Sequence, residues 1–154
     1  MGIRQNDEKC FTETHKTNLN FSLECMADAA ATSGIHGNTE KYFEDTTNNH
    51  NKVLVEVLRT DTSFCQLFVI IKTRGKKQPI KREVPLFASP IVIDQYATIT
   101  GNLSVQAEDV EWVALSCVPR QVPTPFPGPP SPGFQACEGR LKITKTFCIC
   151  CKDK

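Results

Sequence analysis

The sequence predicts a mostly β domain, an antiparallel sandwich or compact barrel with little helix, stabilised by disulfides. Two observations carry this. Runs rich in Val, Ile, Leu, Phe and Thr recur from residue 53 onward, separated by Gly, Pro, Asn and Asp turn signals, and short strands at such spacing belong to all-β folds rather than to alternating β and α units. Eight cysteines, Cys10, Cys25, Cys65, Cys117, Cys137, Cys148, Cys150 and Cys151, spread from end to end, and an even count of this kind predicts a bridged framework whose pairing the sequence leaves open.

The elements follow in order. Residues 1–52 are polar and weakly patterned, and read as an N-terminal segment of loops with short helical turns at 26–31 and 40–43. Ser33-Gly34 and His36-Gly37-Asn38 supply turn chemistry, and residues 46–51 read as an exposed loop. Strands are expected at 53–58 and 64–73, joined by a turn at Asp61-Thr62-Ser63. Residues 72–83 read as a basic loop. Pro85 and Pro90 interrupt the stretch 84–93, which makes it an edge or broken strand because proline donates nothing to a ladder. Two further strands are expected at 96–105 and 110–118. Residues 119–133 contain seven prolines and two glycines, so polyproline II or an irregular loop is expected there. The stretch 140–151 alternates Leu141, Ile143, Phe147 and Ile149 against polar residues and reads as a final strand. The expected core is Val55, Val57, Leu67, Val69, Ile71, Ile93, Ile99, Trp112, Ala114 and Ile143.

At 154 residues the chain fits a single domain over 1–154, with the Pro-rich loop inside it. A net charge of +1 exerts no general pull toward nucleic acid or an anionic membrane. No apolar run is long enough for a transmembrane helix. Stable bridges belong to oxidising compartments, so a secreted or extracellular setting is expected, although no signal-peptide pattern is visible near Met1. Asn20-Phe21-Ser22 and Asn102-Leu103-Ser104 are N-glycosylation sequons, making Asn20 and Asn102 candidate acceptors.

Three segments could carry binding chemistry. Lys72, Arg74, Lys76, Lys77, Lys81 and Arg82 place six positive charges within eleven residues. On a hairpin tip they would form a cationic patch for a sulfated glycan or an acidic protein, or simply a solvated loop that discourages edge pairing. No aromatic residue interleaves with them, so a stacking platform for single strands is not expected and nucleic acid is not a predicted partner. Cys148, Cys150 and Cys151 form the second segment. Cys148 and Cys150 share one face of a strand and Cys151 the other, so three distant bridging partners are expected. The same thiols could hold zinc, completed by Cys137 or a histidine, or accept an acyl chain beside Lys152 and Lys154. The Pro-rich loop, with Phe126 at its middle, is the third: either a stiff recognition surface or a spacer.

The final strand ending in Cys150 resembles the close of cystine-knot growth factors over residues 147–151. The upstream Cys-x-Gly-x-Cys of many such factors is missing, and no functional residue transfers. Residues 105–110 resemble the stretch before the second cysteine of immunoglobulin variable domains. Leu115 stands where that family has Tyr, and the spacing to Cys117 is two residues too long.

Catalysis is not expected. His15, His36 and His50 all fall in the polar N-terminal third, and no nucleophile elbow, zinc-protease motif or phosphate-binding loop occurs. The leading expectation is therefore a non-enzymatic extracellular protein-binding module without a cofactor: a secreted ligand, receptor ectodomain or adhesion domain. Its partner would be another protein, a homodimer being compatible. One alternative is a structural or assembly component of a coat, capsid or matrix. The other is an intracellular zinc-dependent interaction domain using the C-terminal cysteines.

Overall fold

The structure is a computed structural model and describes residues 10–25, 38–47, 49–60, 65–85, 87–88, 99–119 and 135–150. Within these, the period-2 pattern of the sequence becomes two faces. Strand β3 (Asn51–Arg59) buries its odd positions, including Val53, Val55 and Val57. Strand β4 (Gln66–Thr73) buries Leu67, Val69 and Ile71. Side chains alternate across a strand, so each contributes one face to a shared core.

Strands β1 (Cys10–Cys25), β2 (Asn38–Glu44), β5 (Ile80–Glu83), β6 (Phe87–Ala88), β7 (Ile99–Glu108), β8 (Val110–Val118) and β9 (Gln135–Cys150) complete two antiparallel sheets. One has the order β1-β9-β3-β7-β6 and the other β2-β8-β4-β5. This is the expected sandwich, and its strand order is that of a jelly roll. Of the expected core, Val55, Val57, Leu67, Val69, Ile71, Ala114 and Ile143 are buried, joined by Phe21, Leu23, Val53, Val84, Val110, Leu115 and Leu141. Ile99 starts β7, and Ile93 lies outside the described residues.

Four expectations change. The N-terminal segment 1–52 is not a run of loops, since it holds the sixteen-residue strand β1 and the seven-residue strand β2. Residues 11–18 of β1 are exposed on both faces, so no apolar alternation marks them; pairing with β9 makes them a strand. Residues 40–43 are not a helical turn but part of β2, where register shifts between Lys41 and Phe43. The basic stretch 72–83 is a hairpin of β4 and β5 rather than a plain loop. Trp112 is not in the core. It is only half-buried, faces outward on β8, and lies 5.5 Å from the Lys41 ammonium, because β8 turns Val113, Leu115 and Cys117 inward instead. The proposed turn at 26–31 and the Pro-rich loop beyond Pro119 lie outside the described residues.

One close approach depends on a missing side chain. Gly139 pairs with Phe21 on one side and Arg59 on the other. A Cβ there would overlap the Leu58 carbonyl and come within 3.0 Å of the Phe21 ring. Glycine in a strand interior often marks such an approach. Gly139→Ala is therefore expected to lower stability by about 2–3 kcal/mol, the scale of overpacking. Urea unfolding of the oxidised protein would measure it, and an unchanged midpoint would refute the packing argument.

Candidate functional site: two inter-sheet clasps and a cysteine ribbon

Four of the eight cysteines meet at one end of the sandwich. Cys25 closes β1, Cys137 lies near the start of β9, Cys117 is near the end of β8, and Cys65 directly precedes β4. All four are buried. Cys25 bridges Cys117 across a Cα separation of 5.2 Å, and Cys65 bridges Cys137 across 6.1 Å. Each bridge joins one sheet to the other. The two bridges also touch: Cys117 and Cys137 sulfurs lie 3.2 Å apart, and Cys25 and Cys137 sulfurs 3.8 Å. The fully buried Arg59, from the end of β3, donates from Nη2 to the Cys65 sulfur at 2.9 Å.

At the opposite end the sheets are held by a polar knot. Asp45 follows β2 and is buried. Its carboxylate accepts from the Thr47 amide at 2.9 Å, the Thr47 hydroxyl at 2.7 Å and Asn51 Nδ2 at 2.5 Å, and pairs with Lys145 Nζ at 2.9 Å. Arg74 Nη2 stands 3.8 Å away. Asn51 in turn brackets Val110, donating to its carbonyl at 2.9 Å and accepting from its amide at 2.7 Å. That fixes the corner between β7 and β8, where Asp109 adopts φ 52° and hydrogen-bonds His50 at 2.7 Å. Asp and Asn are the non-glycine residues that most readily accept this conformation. Burial alone would raise the Asp45 pKa, but the bonds from Thr47, Lys145 and Asn51 outweigh it and hold the carboxyl well below its ordinary range.

The six residues of the basic segment differ in their surroundings. Arg74 is drawn into the polar knot, donating to the carbonyls of Asn49 and Thr47. Lys72 donates to the Lys76 carbonyl, and Lys81 lies over the Phe68 ring at 4.2 Å. Lys76, Lys77, Lys81 and Arg82 are exposed on the β4–β5 hairpin. The sequons sit on strands: Asn20 in β1 and Asn102 in β7 are both exposed. Through the pairings Asn20↔Arg140, Arg140↔Leu58 and Leu58↔Asn102 they occupy one row across the outer face of the first sheet.

The remaining cysteines lie at the far end of β9. Beyond Phe147, which pairs with the first residue of β3, only β1 accompanies β9. The result is a two-stranded ribbon. Cys10 and Cys150 are directly opposed in its register. Cys148, opposite Thr12, is exposed and, among the described residues, forms no bridge; the four buried cysteines of the sandwich bridge one another instead. Cys137 cannot complete a metal site with this cluster either, since eleven residues of extended strand separate it from Cys148, roughly 35 Å. His15 is engaged by Glu13 at 2.8 Å and by the edge of the Phe147 ring. His36 and Cys151 lie outside the described residues. Among those described, the grouping with metal-ligand spacing is Cys25, Cys65, Cys117 and Cys137. No helix of the described residues is long and apolar enough to cross a membrane.

Sequence reasoning missed Arg59 and Asp45. Nothing local marks either, because each acquires its role from strands distant in sequence.

No protein-family model matches the chain, and no curated protein matches it. Among solved structures it is similar to a protein of Bacillus endospore appendages, which form a novel family of disulfide-linked pili. That match has a TM-score of 0.52 at 9% identity and covers 90% of this chain and 89% of the other. It also aligns with VP2 from the subviral particle of infectious bursal disease virus, with a TM-score of 0.46 at 10% identity, over 90% of this chain and 33% of the viral one. At such identity the likeness to the appendage protein is one of fold.

The polar knot makes a pH prediction. Because the folded-state pKa of Asp45 is depressed, its contribution is complete above the unfolded carboxylate value near 4 and is lost as pH falls below it. Asp45→Ala should cost about 3 kcal/mol at neutral pH, as removing one partner of a buried ion pair does. The gap to wild type should narrow on acidification. Denaturant titrations at pH 7 and pH 3 would check this, and a gap that widens at pH 3 would contradict it.

Proposed function

We propose that this chain is a non-catalytic structural subunit of a protein assembly outside the reducing cytoplasm, its copies joined through the cysteine ribbon. The observation that carries this is the division of the cysteines. Four are consumed inside the sandwich, while Cys148 is exposed on a ribbon that projects past the neighbouring strand. An exposed thiol in an oxidising setting finds a partner on another molecule.

Edge geometry supports the same reading. The β5 edge is four residues long, flanked by Pro79 and Pro85 and carrying Lys81 and Arg82; β6 is two residues long. Those edges are blunted in the usual ways. By contrast β1 offers a sixteen-residue edge that no other strand among the described residues covers. Resemblance in fold to a protein of disulfide-linked pili is consistent with subunits of this shape assembling. The secreted binding module is the weaker reading, because Arg74 and Lys72 are occupied within the fold.

The oxidised protein should run as a ladder of covalent multimers on non-reducing gels and collapse to one band with reductant. Cys148→Ser should shorten the ladder while changing stability by less than about 0.5 kcal/mol, as surface substitutions do. A monomer at every concentration, with Cys148 fully alkylated, would end this proposal.

A further inference from the structure

The four buried sulfurs are arranged more tightly than two independent bridges require. Each disulfide needs only its own pair, yet all four sulfurs lie within 4.8 Å of one another. A tetrahedral zinc tetrathiolate, with Zn–S near 2.3 Å, has sulfur–sulfur edges of about 3.8 Å. The Cys25–Cys137 contact is 3.8 Å and the Cys117–Cys137 contact 3.2 Å. Cα separations of 5.2 and 6.1 Å within the bridged pairs leave room for the sulfurs to part by rotation about their own side chains.

Arg59 is an independent pointer. Its buried guanidinium donates to the Cys65 sulfur at 2.9 Å. A disulfide sulfur is neutral and a weak acceptor, whereas a thiolate is anionic and takes such a bond strongly. Four thiolates around Zn²⁺ carry a net charge of −2, and a cation in contact with the sulfurs offsets part of it. Metal ligands are characteristically oriented by such outer partners.

We propose that in the thiol form of the chain Cys25, Cys65, Cys117 and Cys137 bind one zinc ion, which clasps the two sheets until oxidation replaces it with the two disulfides. Cysteines leave the ribosome as thiols, so loading needs no reductant: Zn²⁺ and four thiols give the tetrathiolate and release four protons. Because the site is enclosed and drawn from both sheets, the ion enters as the chain folds. Exchange needs a disulfide oxidant such as oxidised glutathione. Two molecules of it accept four electrons from the thiolates and four protons from solvent, yielding four glutathione thiols. The four cysteine thiolates become two disulfides, and Zn²⁺ leaves.

The experiment is to refold the full-length chain anaerobically from the reduced state with zinc chloride or cobalt chloride, then read metal content, near-ultraviolet dichroism and the cobalt absorption spectrum. The expected result is a folded protein with a single ion per chain and the charge-transfer and d–d bands of tetrahedral thiolate cobalt, discharged by oxidised glutathione. A variant with Cys10, Cys148, Cys150 and Cys151 all changed to Ser should keep the ion, and Cys65→Ser should lose it. The proposal is overturned if the reduced chain folds without metal bound, if it fails to fold with zinc present, or if the tail variant loses the ion. Should Cys65→Ser not fold, wild type and the tail variant still decide. Multimer formation plays no part in these readouts.

Discussion

Two sheets pressed together by alternating Val, Leu and Ile side chains have no inherent reason to stay in one alignment, since apolar contact is non-directional. Here the alignment is set by covalent attachment. Cys25–Cys117 and Cys65–Cys137 each tie one sheet to the other, with sequence separations of 92 and 72 residues. Loops of that size correspond to about 4–5 kcal/mol each on the chain-entropy argument, comparable to much of the net stability of a small domain. The bridges share one buried site with Arg59, so strands β1, β3, β8 and β9 and the approach to β4 all converge on it. Moving any one of them would disturb the other four.

The far end of the sandwich achieves the same alignment without covalent bonds. Asp45 brings a charge into the interior, which is costly unless paired and hydrogen-bonded. It is both. Lys145 and Asn51 reach it from the first sheet, Thr47 from the segment after β2 and Arg74 from the turn after β4. Asn51 carries the constraint onward to the β7–β8 corner through Val110. Polar contacts are directional, and this is what apolar packing between the clasps cannot supply. The knot also engages part of the basic hairpin: Arg74 donates to the Thr47 and Asn49 carbonyls and faces Asp45.

The placement of the clasps frees the rest of the molecule to present surface. With the sheets locked, β1 and β9 pair on past the end of β3 as a ribbon, and among the described residues no strand covers the outer edge of β1. A cysteine out there cannot be drawn into the core bridges, because strand geometry holds it tens of ångströms away. The buried cysteines and Cys148 are thus separated by distance.

The all-β class, the strands at 53–58, 64–73 and 110–118, and the part of the core that those strands supply were readable in the sequence, because burial on one face imposes a period of 2 that no helix shares. The presence of a disulfide framework was also readable from the cysteine count. Strand β1 was not: over residues 11–18 both faces meet solvent, so composition carries no record of the pairing that creates it. Trp112 misled for a related reason, since hydrophobicity does not say which face of a central strand is turned inward. Which cysteines bridge, and the roles of Arg59, Asp45 and Gly139, rest on contacts between strands far apart in the chain. A linear pattern encodes local preference and facing, whereas these residues are defined by neighbours that only the stacking of two sheets brings within bonding distance.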